Sequence, residues 1–256
     1  MAKHLTILTG ASRGMGAAIA EQLLQSGATV IGISRATNAA LDAKAAAAGA
    51  TLEQWAIDLS DAPAAARRVE DWLAAQSAET FDSATLINNA AALTRIGPLE
   101  ASDADELARA LRVGLEAPLL LTAAFLRATQ GWRARRDGQC KVLNISSGLG
   151  RSAMASQASY CAVKAGMDHF TRSVALDQTH AAHPAHVVSL APGVIDTDMQ
   201  VQLRAGDPSR FPDRDRFVQM KTGGQLDSPA AAATKVLAYL RRADFGSKPV
   251  ADVRDA

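Results

Sequence analysis

The sequence lacks the features that would place it in a membrane or among disulfide-stabilised secreted proteins. No apolar run approaches the about 18 residues that a membrane-spanning helix requires. The 256 residues include only two cysteines, Cys140 and Cys161, which are too few for a disulfide framework. The chain also enters its first apolar run at residue 4 and leaves no room for a signal peptide. We therefore expect a cytoplasmic protein without a membrane anchor.

Charge bias and metal-binding patterns are also lacking. The net formal charge is +1, so the charge balance does not favour nucleic acid or a membrane surface as a partner. A short basic segment at residues 133–136 is interpreted as a solvated loop. His180, His183 and His186 are evenly spaced, but Pro184 interrupts them and no carboxylate cluster accompanies them. We therefore predict no metal site.

What the chain does have is a regular alternation of apolar, β-branched runs with helical patterns. Strands are predicted at residues 4–9, 29–34, 51–57, 85–87, 141–145, 186–190 and 250–253, and helices at residues 16–25, 39–47, 62–76, 103–128, 158–177 and 229–240. This order predicts an α/β fold with a doubly wound, mostly parallel sheet of about seven strands and helices on both faces. Ligands of such sheets bind beyond the carboxyl ends of the strands.

A glycine-rich turn joins the first predicted strand to the first predicted helix. The segment reads Thr9-Gly10-Ala11-Ser12-Arg13-Gly14-Met15-Gly16, a G-x-x-x-G-x-G spacing instead of the commoner G-x-G-x-x-G. Glycines permit positive φ and a close approach of ligand to backbone, and the helix start offers free N–H groups. A plain tight turn is the alternative. Its place at the first strand-to-helix turn of an α/β pattern predicts a dinucleotide phosphate site.

A tyrosine and a lysine form the second motif. Tyr160 and Lys164 are four residues apart in a predicted helix, and Ser147 lies thirteen residues upstream of the tyrosine. The four-residue step places both side chains on one face, where an ammonium group would lower the tyrosine pKa. Such a tyrosine can act as a general acid or base. Ser146 is the rival of Ser147, and we expect it to point into the sheet instead.

Three more segments occur in a fixed order with these two. They are Leu-Ile-Asn-Asn-Ala at 86–90, Asn-Ile-Ser-Ser-Gly at 144–148 and Pro-Gly-Val-Ile-Asp-Thr at 192–197. Together the five segments resemble the short-chain dehydrogenase/reductase family over essentially the whole chain. The resemblance implies a Rossmann fold in a single domain over residues 1–256. It also implies a nicotinamide cofactor and an oxidoreductase acting on CH–OH or C=O groups.

The resemblance implies a role for each catalytic residue. Tyr160 would donate a proton to a carbonyl oxygen during hydride transfer, Ser147 would orient that oxygen, and Lys164 would hold the nicotinamide ribose. Hydride addition builds negative charge on oxygen, which two hydrogen-bond donors stabilise. The catalytic residues are therefore predicted to be Ser147, Tyr160 and Lys164.

The form of the cofactor is predicted from the end of the second strand. It reads Ile33-Ser34-Arg35, without the acidic residue that would favour NAD. Arg35 and Arg13 can pair with a 2′-phosphate, and Ser34 can hydrogen-bond it, so we predict NADP(H); two unrelated surface arginines are the alternative. By resemblance, an aspartate at the third strand end meets the adenine. The predicted cofactor contacts are Gly10, Ser12, Arg13, Gly14, Met15, Gly16, Ser34, Arg35, Asp58, Leu59, Asn88, Ala90, Tyr160, Lys164, Pro192, Gly193, Val194, Ile195 and Thr197.

Residues 196–226, which we call the lid segment, break the alternation of strands and helices. They mix glycine and proline with apolar side chains, which predicts a long irregular insert that covers a pocket. An ordinary surface excursion is the alternative. The lid is favoured because the segment directly follows residues expected to contact the cofactor.

Two positions depart from the family pattern. Many relatives carry an asparagine in the long helix before the catalytic serine, where it supports a water chain to the lysine. Gly114 stands there, and no asparagine occurs between Asn89 and Asn144. Ala91 likewise replaces a usual glycine. These departures leave open a second function, a catalytically weak NADP(H)-binding sensor.

The C-terminal third resembles the branch of the family that includes sepiapterin reductase and bacterial benzil reductases. By that resemblance Asp252 would anchor a pterin amino group; a surface carboxylate near a frayed terminus is the alternative. The predicted substrate contacts are Ser147, Leu149, Tyr160, Met199 and Asp252. We expect an NADPH-dependent carbonyl reductase acting on a ketone or diketone, or else a dehydrogenase for another alcohol. Relatives associate through the helices at 103–128 and 158–177, which predicts a homodimer or homotetramer.

Overall fold

A computed structural model describes residues 3–77, 79–134 and 139–255. Its centre is one seven-stranded sheet in which all neighbouring strands are parallel, in the order β3-β2-β1-β4-β5-β6-β7. The strands are β1 His4–Thr9, β2 Thr29–Ser34, β3 Thr51–Ala56, β4 Ser83–Asn88, β5 Cys140–Ile145, β6 His186–Ala191 and β7 Val250–Asp252. The predicted α/β fold is confirmed, and the order reverses between β1 and β4, where such sheets bind ligands.

Helices cover both faces of the sheet. They are α1 Gly14–Leu23, α2 Ala39–Ala48, α3 Ala62–Ala74, α4 Ala104–Leu111, α5 Ala117–Ala128, α6 Gln130–Arg133, α7 Ala158–Thr179, α8 Asp198–Arg204, α9 Arg214–Thr222 and α10 Pro229–Leu240. Adjacent strand residues point to opposite faces. Ile7 therefore joins a core cluster with α3 and α5, whereas Leu8 joins another with α1 and α10. Burial on both faces explains the continuous apolar runs of these strands.

The predicted helix at 103–128 is wrong as a single α-helix. Asp103 caps α4, and a π-helical turn, Arg112–Glu116, separates α4 from α5. Gly114 lies within that turn, and a Cβ atom at this position would lie 2.6 Å from Cγ1 of Val163 on α7. The missing side chain thus allows the wider turn and α7 to approach closely, which helical periodicity alone does not reveal.

The prediction that the lid segment is irregular is wrong. It contains α8 and α9, and the glycine and proline residues between them form the connection. The two helices share a small apolar core in which Phe211 and Phe217 stack with ring centroids 5.7 Å apart. That core consists of Leu203, Phe211 and Phe217, packed against Ile96, Met154, Met199 and Met220.

The expectation of a solvated basic loop at 133–136 is wrong for Arg133. This side chain is buried, and its guanidinium donates hydrogen bonds to Gln178 and to the carbonyls of His183 and Leu126. These acceptors compensate part of the cost of burying a cation, while its Nε has no hydrogen-bond partner among the described residues. Residues 135–138 lie outside the described part of the chain.

Among the described residues, no helix is both long and apolar enough to cross a membrane.

Candidate active site

The carboxyl ends of β1, β4, β5 and β6 lie side by side in the sheet. The segments that follow them carry Gly10, Asn89, Ser147 and Pro192. The topology therefore brings four of the predicted motifs to one edge, and α7 adds Tyr160 and Lys164 to the segment after β5.

The three predicted catalytic residues come together at this edge. The hydroxyl of Ser147 lies near that of Tyr160 and lowers the pKa of the tyrosine. The Lys164 ammonium donates to the carbonyl of Ile145, the last residue of β5, at 2.6 Å and lies 5.6 Å from the centre of the Tyr160 ring. The backbone N–H of Leu149 donates to Ser147 Oγ at 3.2 Å, which fixes the serine in the turn that follows β5. A proton donor, a second donor and a cation therefore share one small site.

Burial controls the protonation of the tyrosine and the lysine. It raises the pKa of Tyr160 to about 12, and Ser147 opposes the rise. Burial also lowers the pKa of Lys164 to about 8, with the nearby carboxylate of Asp168 acting in the opposite direction. The prediction that Lys164 lowers the tyrosine pKa is wrong: loss of hydration raises this pKa, and the group that opposes the rise is Ser147. At neutral pH Tyr160 keeps its proton and is ready to donate it.

Ser146 has a different environment from Ser147. Its side chain is buried, and its hydroxyl donates to Asp168 Oδ1 at 2.5 Å. Ser146 thus points inward, as expected, whereas Ser147 faces the tyrosine hydroxyl.

The glycine loop forms a cradle that is packed too closely for a side chain at Gly10 or Gly16. Gly10 and Gly14 have positive φ values of 69° and 55°. A Cβ atom on Gly16 would lie 2.0 Å from the Gly10 carbonyl oxygen. Helix α1 begins at Gly14, and Arg13 at its N-cap position makes no side-chain capping bond within the described chain. The first-turn N–H groups thus lack a cap from that side chain, and these features fit a dinucleotide phosphate.

Asn89 holds this loop, a role that the sequence motifs did not indicate. Its amide donates to the carbonyls of Thr9 and Gly10, and the backbone N–H groups of Asn89 and Ala90 both donate to Thr9 Oγ1. Asn88, by contrast, ends β4 with a buried side chain that donates to Thr122 and Asn144. The Nδ2 group of Asn88 is therefore used inside the protein, whereas its buried Oδ1 has no hydrogen-bond partner among the described residues. Two adjacent asparagines on a strand end point to opposite sides, which could have separated these roles.

The residues predicted to meet the 2′-phosphate lie around the same loop. Ser34 Oγ accepts a hydrogen bond from the backbone N–H of Ser12 at 3.1 Å, and Arg35 is exposed beside it. Arg13 instead pairs with Asp198, the first residue of α8, at 3.2 Å. Asp58 is exposed; the Ser60 backbone N–H lowers the pKa of its carboxyl most, with smaller contributions from Arg109 and Arg35. Leu59 beside it is buried.

The segment after β6 folds back towards the glycine loop. Gly193 has a φ of 85°, and the backbones of Val194 and Asp196 hydrogen-bond that of Asp227. The Thr197 methyl group lies 3.8 Å from where a Cβ of Gly14 would be. Residues predicted to touch the nicotinamide therefore stand across from the phosphate cradle.

Two of the predicted substrate residues are Met199 and Leu149. Both are half-buried near the edge that carries Ser147 and Tyr160, and Met199 packs in the apolar core of the lid segment. Ile96 and Met154 in that core were missed, because nothing in their local sequence links two distant loops to the lid.

Asp252 lies at the end of β7 and is not the surface carboxylate that was the alternative from the sequence. It is buried, and both its oxygens accept hydrogen bonds from Arg254, the shorter at 2.6 Å. Arg151 lies 3.8 Å away on its other side. The Arg254 hydrogen bond holds the pKa of this carboxyl below its usual value. Asp252 is thus a buried carboxylate paired with Arg254 and Arg151, and not a surface carboxylate at a frayed terminus.

Comparison with known proteins shows the family of the chain. The family described as short chain dehydrogenase matches residues 4–208. The chain belongs to this family. It is 34% identical to a benzil reductase ((S)-benzoin forming) from Bacillus cereus, over 93% of this chain and 94% of that one.

Solved structures of the family agree. A short-chain dehydrogenase/reductase from Burkholderia vietnamiensis is 36% identical, with 98% of this chain and 97% of that one covered and a TM-score of 0.62. A metagenomic short-chain oxidoreductase in complex with NADP is 28% identical, covers 97% and 94% of the two chains and has a TM-score of 0.71. The chain is therefore an oxidoreductase of a family that uses nicotinamide cofactors.

Proposed function

We propose that this protein is an NADPH-dependent carbonyl reductase that acts on apolar ketones or vicinal diketones. The observation that carries the proposal is the shared site of Ser147, Tyr160 and Lys164 beside the glycine cradle. The similarity to a benzil reductase over nearly the whole chain supports a diketone as substrate.

The residues present fit a dinucleotide phosphate at the cradle of Gly10, Gly14 and Gly16: Gly10 and Gly16 are packed too closely for a Cβ atom, and Gly14 has a positive φ and opens α1. When bound, NADPH supplies the hydride. Arg35 would meet the 2′-phosphate, together with Ser34. Arg13 can leave Asp198 to meet the same phosphate, because the ion pair between them is exposed on both sides and is therefore weak.

The protein's own groups manage the proton. Tyr160, with a pKa of about 12, holds a proton that it can give to a substrate oxygen at neutral pH. Ser147 lies near the tyrosine hydroxyl and offers the oxygen a second donor. Lys164 is charged below about pH 8, and its ammonium stabilises the phenolate that remains after proton transfer.

The substrate pocket that we propose is apolar. Its walls are Leu149 from the turn after Ser147 and Met154 and Met199, which meet in the core of the lid segment. Methionine side chains are flexible and make favourable contacts with aromatic rings. We propose that α8 and α9 close over an aromatic ketone, so that the lid function predicted for residues 196–226 is kept with a helical structure.

Reduction of benzil and of sepiapterin by the purified protein tests this function. We expect NADPH to be consumed in step with formation of the alcohol product, and benzil to be preferred because Asp252 is already paired with Arg254. Tight NADPH binding without reduction of either compound or of a wider carbonyl panel would contradict the proposal and support the sensor function.

Assembly and location complete the proposal. Leu111, Leu119 and Leu176 are exposed on α4, α5 and α7, the helices through which relatives associate. We propose a homodimer, which light scattering of the purified protein will detect. We also propose a cytoplasmic location, which the small number of cysteines favours.

A further inference from the structure

One buried carboxylate links several parts of the site. Asp168 lies one turn after Lys164 on α7 and is 1% exposed. Its Oδ1 accepts hydrogen bonds from the hydroxyls of Ser146, at 2.5 Å, and of Ser189 in β6, at 2.6 Å. Its Oδ2 accepts a hydrogen bond from Arg151 Nε at 3.2 Å.

These bonds hold both ends of the turn that presents the catalytic serine. Ser146 directly precedes Ser147, and Arg151 directly follows the 3₁₀ turn Gly148–Gly150. The turn packs so closely that a Cβ atom on Gly150 would lie 2.9 Å from Asp168 Oδ2. A single side chain thus anchors the residues at both ends of the turn that carries Ser147, whose Oγ accepts a hydrogen bond from the N–H of Leu149.

Two cations offset the buried negative charge of Asp168. A buried carboxylate is costly unless cations and hydrogen bonds compensate it. Arg151 compensates one oxygen but is shared with Asp252 and with the Ala251 carbonyl. Lys164, four residues earlier, is a second cation on the same helix face and is 2% exposed.

We propose that Asp168 is a positioning residue of the active site, which fixes the turn carrying Ser147 and keeps the Lys164 ammonium charged. The inference deepens the proposed reductase function and rests on it for its kinetic consequence. Within the described chain, Asp168 acts on Tyr160 and on the predicted cofactor residues through these groups and not by a hydrogen bond of its own.

The direction of the electrostatic effect follows from the neighbours of the lysine. Tyr160 and Asp168 on α7 act on Lys164 directly. Cys161 acts on Tyr160, and Arg151 from the turn after β5 pairs with Asp168. Beyond Arg151 lie Asp252 at the end of β7 and Arg254 in the turn that follows. Burial lowers the pKa of Lys164 to about 8, and Asp168 limits that fall. Removing the carboxylate must lower the pKa further, whereas removing Arg151 must raise it, because Asp168 then has less compensation.

Titration of the Lys164 side chain by NMR in the protein alone is the first test. We expect the midpoint to fall by about one pH unit in Asp168→Asn and to rise in Arg151→Gln. The resonance is assigned from its loss in Lys164→Met. Ser189→Ala is the matched control, since it removes a hydrogen bond from the same carboxylate oxygen without changing charge, and its midpoint should stay at the wild-type value.

Kinetics provide the second readout. In Asp168→Asn we expect kcat to fall about tenfold with the KM for NADPH little changed, and the alkaline limb of kcat to move to lower pH. Ser189→Ala should keep the wild-type pH profile even if it melts at a lower temperature.

Unchanged midpoints in both Asp168→Asn and Arg151→Gln would overturn the proposal and leave Asp168 a purely structural residue. If Asp168→Asn does not fold, Arg151→Gln decides alone by the sign of its shift. The midpoints of the variants could shift as expected while the wild-type protein reduces no carbonyl. That result would contradict the proposed function but not the role of Asp168 towards Lys164.

Discussion

At the scale of single residues, the site depends on groups whose chemistry is set by burial and by one or two partners. The motifs around Tyr160 and Lys164 were predictable because the spacing of a helix fixes which side chains meet. Their pKa values were not, since the high pKa of Tyr160 comes from loss of hydration in a completed fold. The pairing of Asp252 with Arg254 also escaped prediction, because adjacent charges in a sequence do not show whether they are buried.

The first prediction at this scale concerns the choice of cofactor. Arg35→Asp should weaken NADPH binding at least tenfold and leave NADH binding nearly unchanged, because about 1.4 kcal/mol of lost phosphate contact corresponds to a factor of ten. Fluorescence titration with each nucleotide measures it.

The control makes the same charge change at Arg241, which caps the far end of α10 and is exposed. Arg241→Asp should bind both nucleotides like the wild type. An equal loss of NADPH and NADH binding in Arg35→Asp would contradict the assignment of NADP(H).

At the scale of elements, the fold brings together loops that the sequence could only predict separately. Alternating strands and helices predicted the sheet and its functional edge. The π-helical turn and the helical lid segment were not predicted, because both depend on tertiary contacts: Gly114 against Val163, and Phe211 against Phe217. The local periodicity of the sequence does not indicate such contacts.

The contact between Gly114 and Val163 gives a prediction about the missing asparagine. Gly114→Asn should destabilise the protein by about 1–3 kcal/mol, because the new Cβ would lie 2.6 Å from Val163. Combining it with Val163→Ala should recover part of that loss. Chemical denaturation of the two single variants and the double variant measures the coupling.

Gly131→Asn is the matched control. Gly131 is also helical, but no atom of the described residues lies within 4 Å of the place that its Cβ would occupy. This change should therefore cost less than Gly114→Asn. Simple additivity of Gly114→Asn and Val163→Ala would show that the two side chains do not compete for the same space.

The small core of the lid segment gives the second prediction at this scale. Phe211→Ala should raise the KM for the carbonyl substrate several-fold while changing the main unfolding transition little, because Phe211 packs in the lid core and not in the core of the sheet. Steady-state kinetics and thermal unfolding measure the two effects.

Phe125→Ala removes an equally buried ring from the core of the sheet. It should lower the unfolding temperature strongly, in keeping with a cost of about 3–5 kcal/mol. Equal effects of the two changes on unfolding, with no change in KM for Phe211→Ala, would contradict a separate lid.

At the scale of the whole molecule, a seven-stranded sheet brings the ends of four strands to one edge and places α7 and the lid segment against it. The site therefore exists only in the completed fold, although each of its motifs is recognisable in the chain. Within that fold, we propose that Tyr160 donates the proton and that the glycine cradle binds NADPH independently of the Tyr160 hydroxyl.

Turnover and NADPH binding of Tyr160→Phe, measured side by side, test this division of roles most directly. The substitution removes only a hydroxyl, so we expect carbonyl reduction to fall by at least about a hundredfold while NADPH binds with nearly wild-type affinity. Reduction at the wild-type rate by Tyr160→Phe would contradict the mechanism, and loss of NADPH binding would contradict the independence of the cradle.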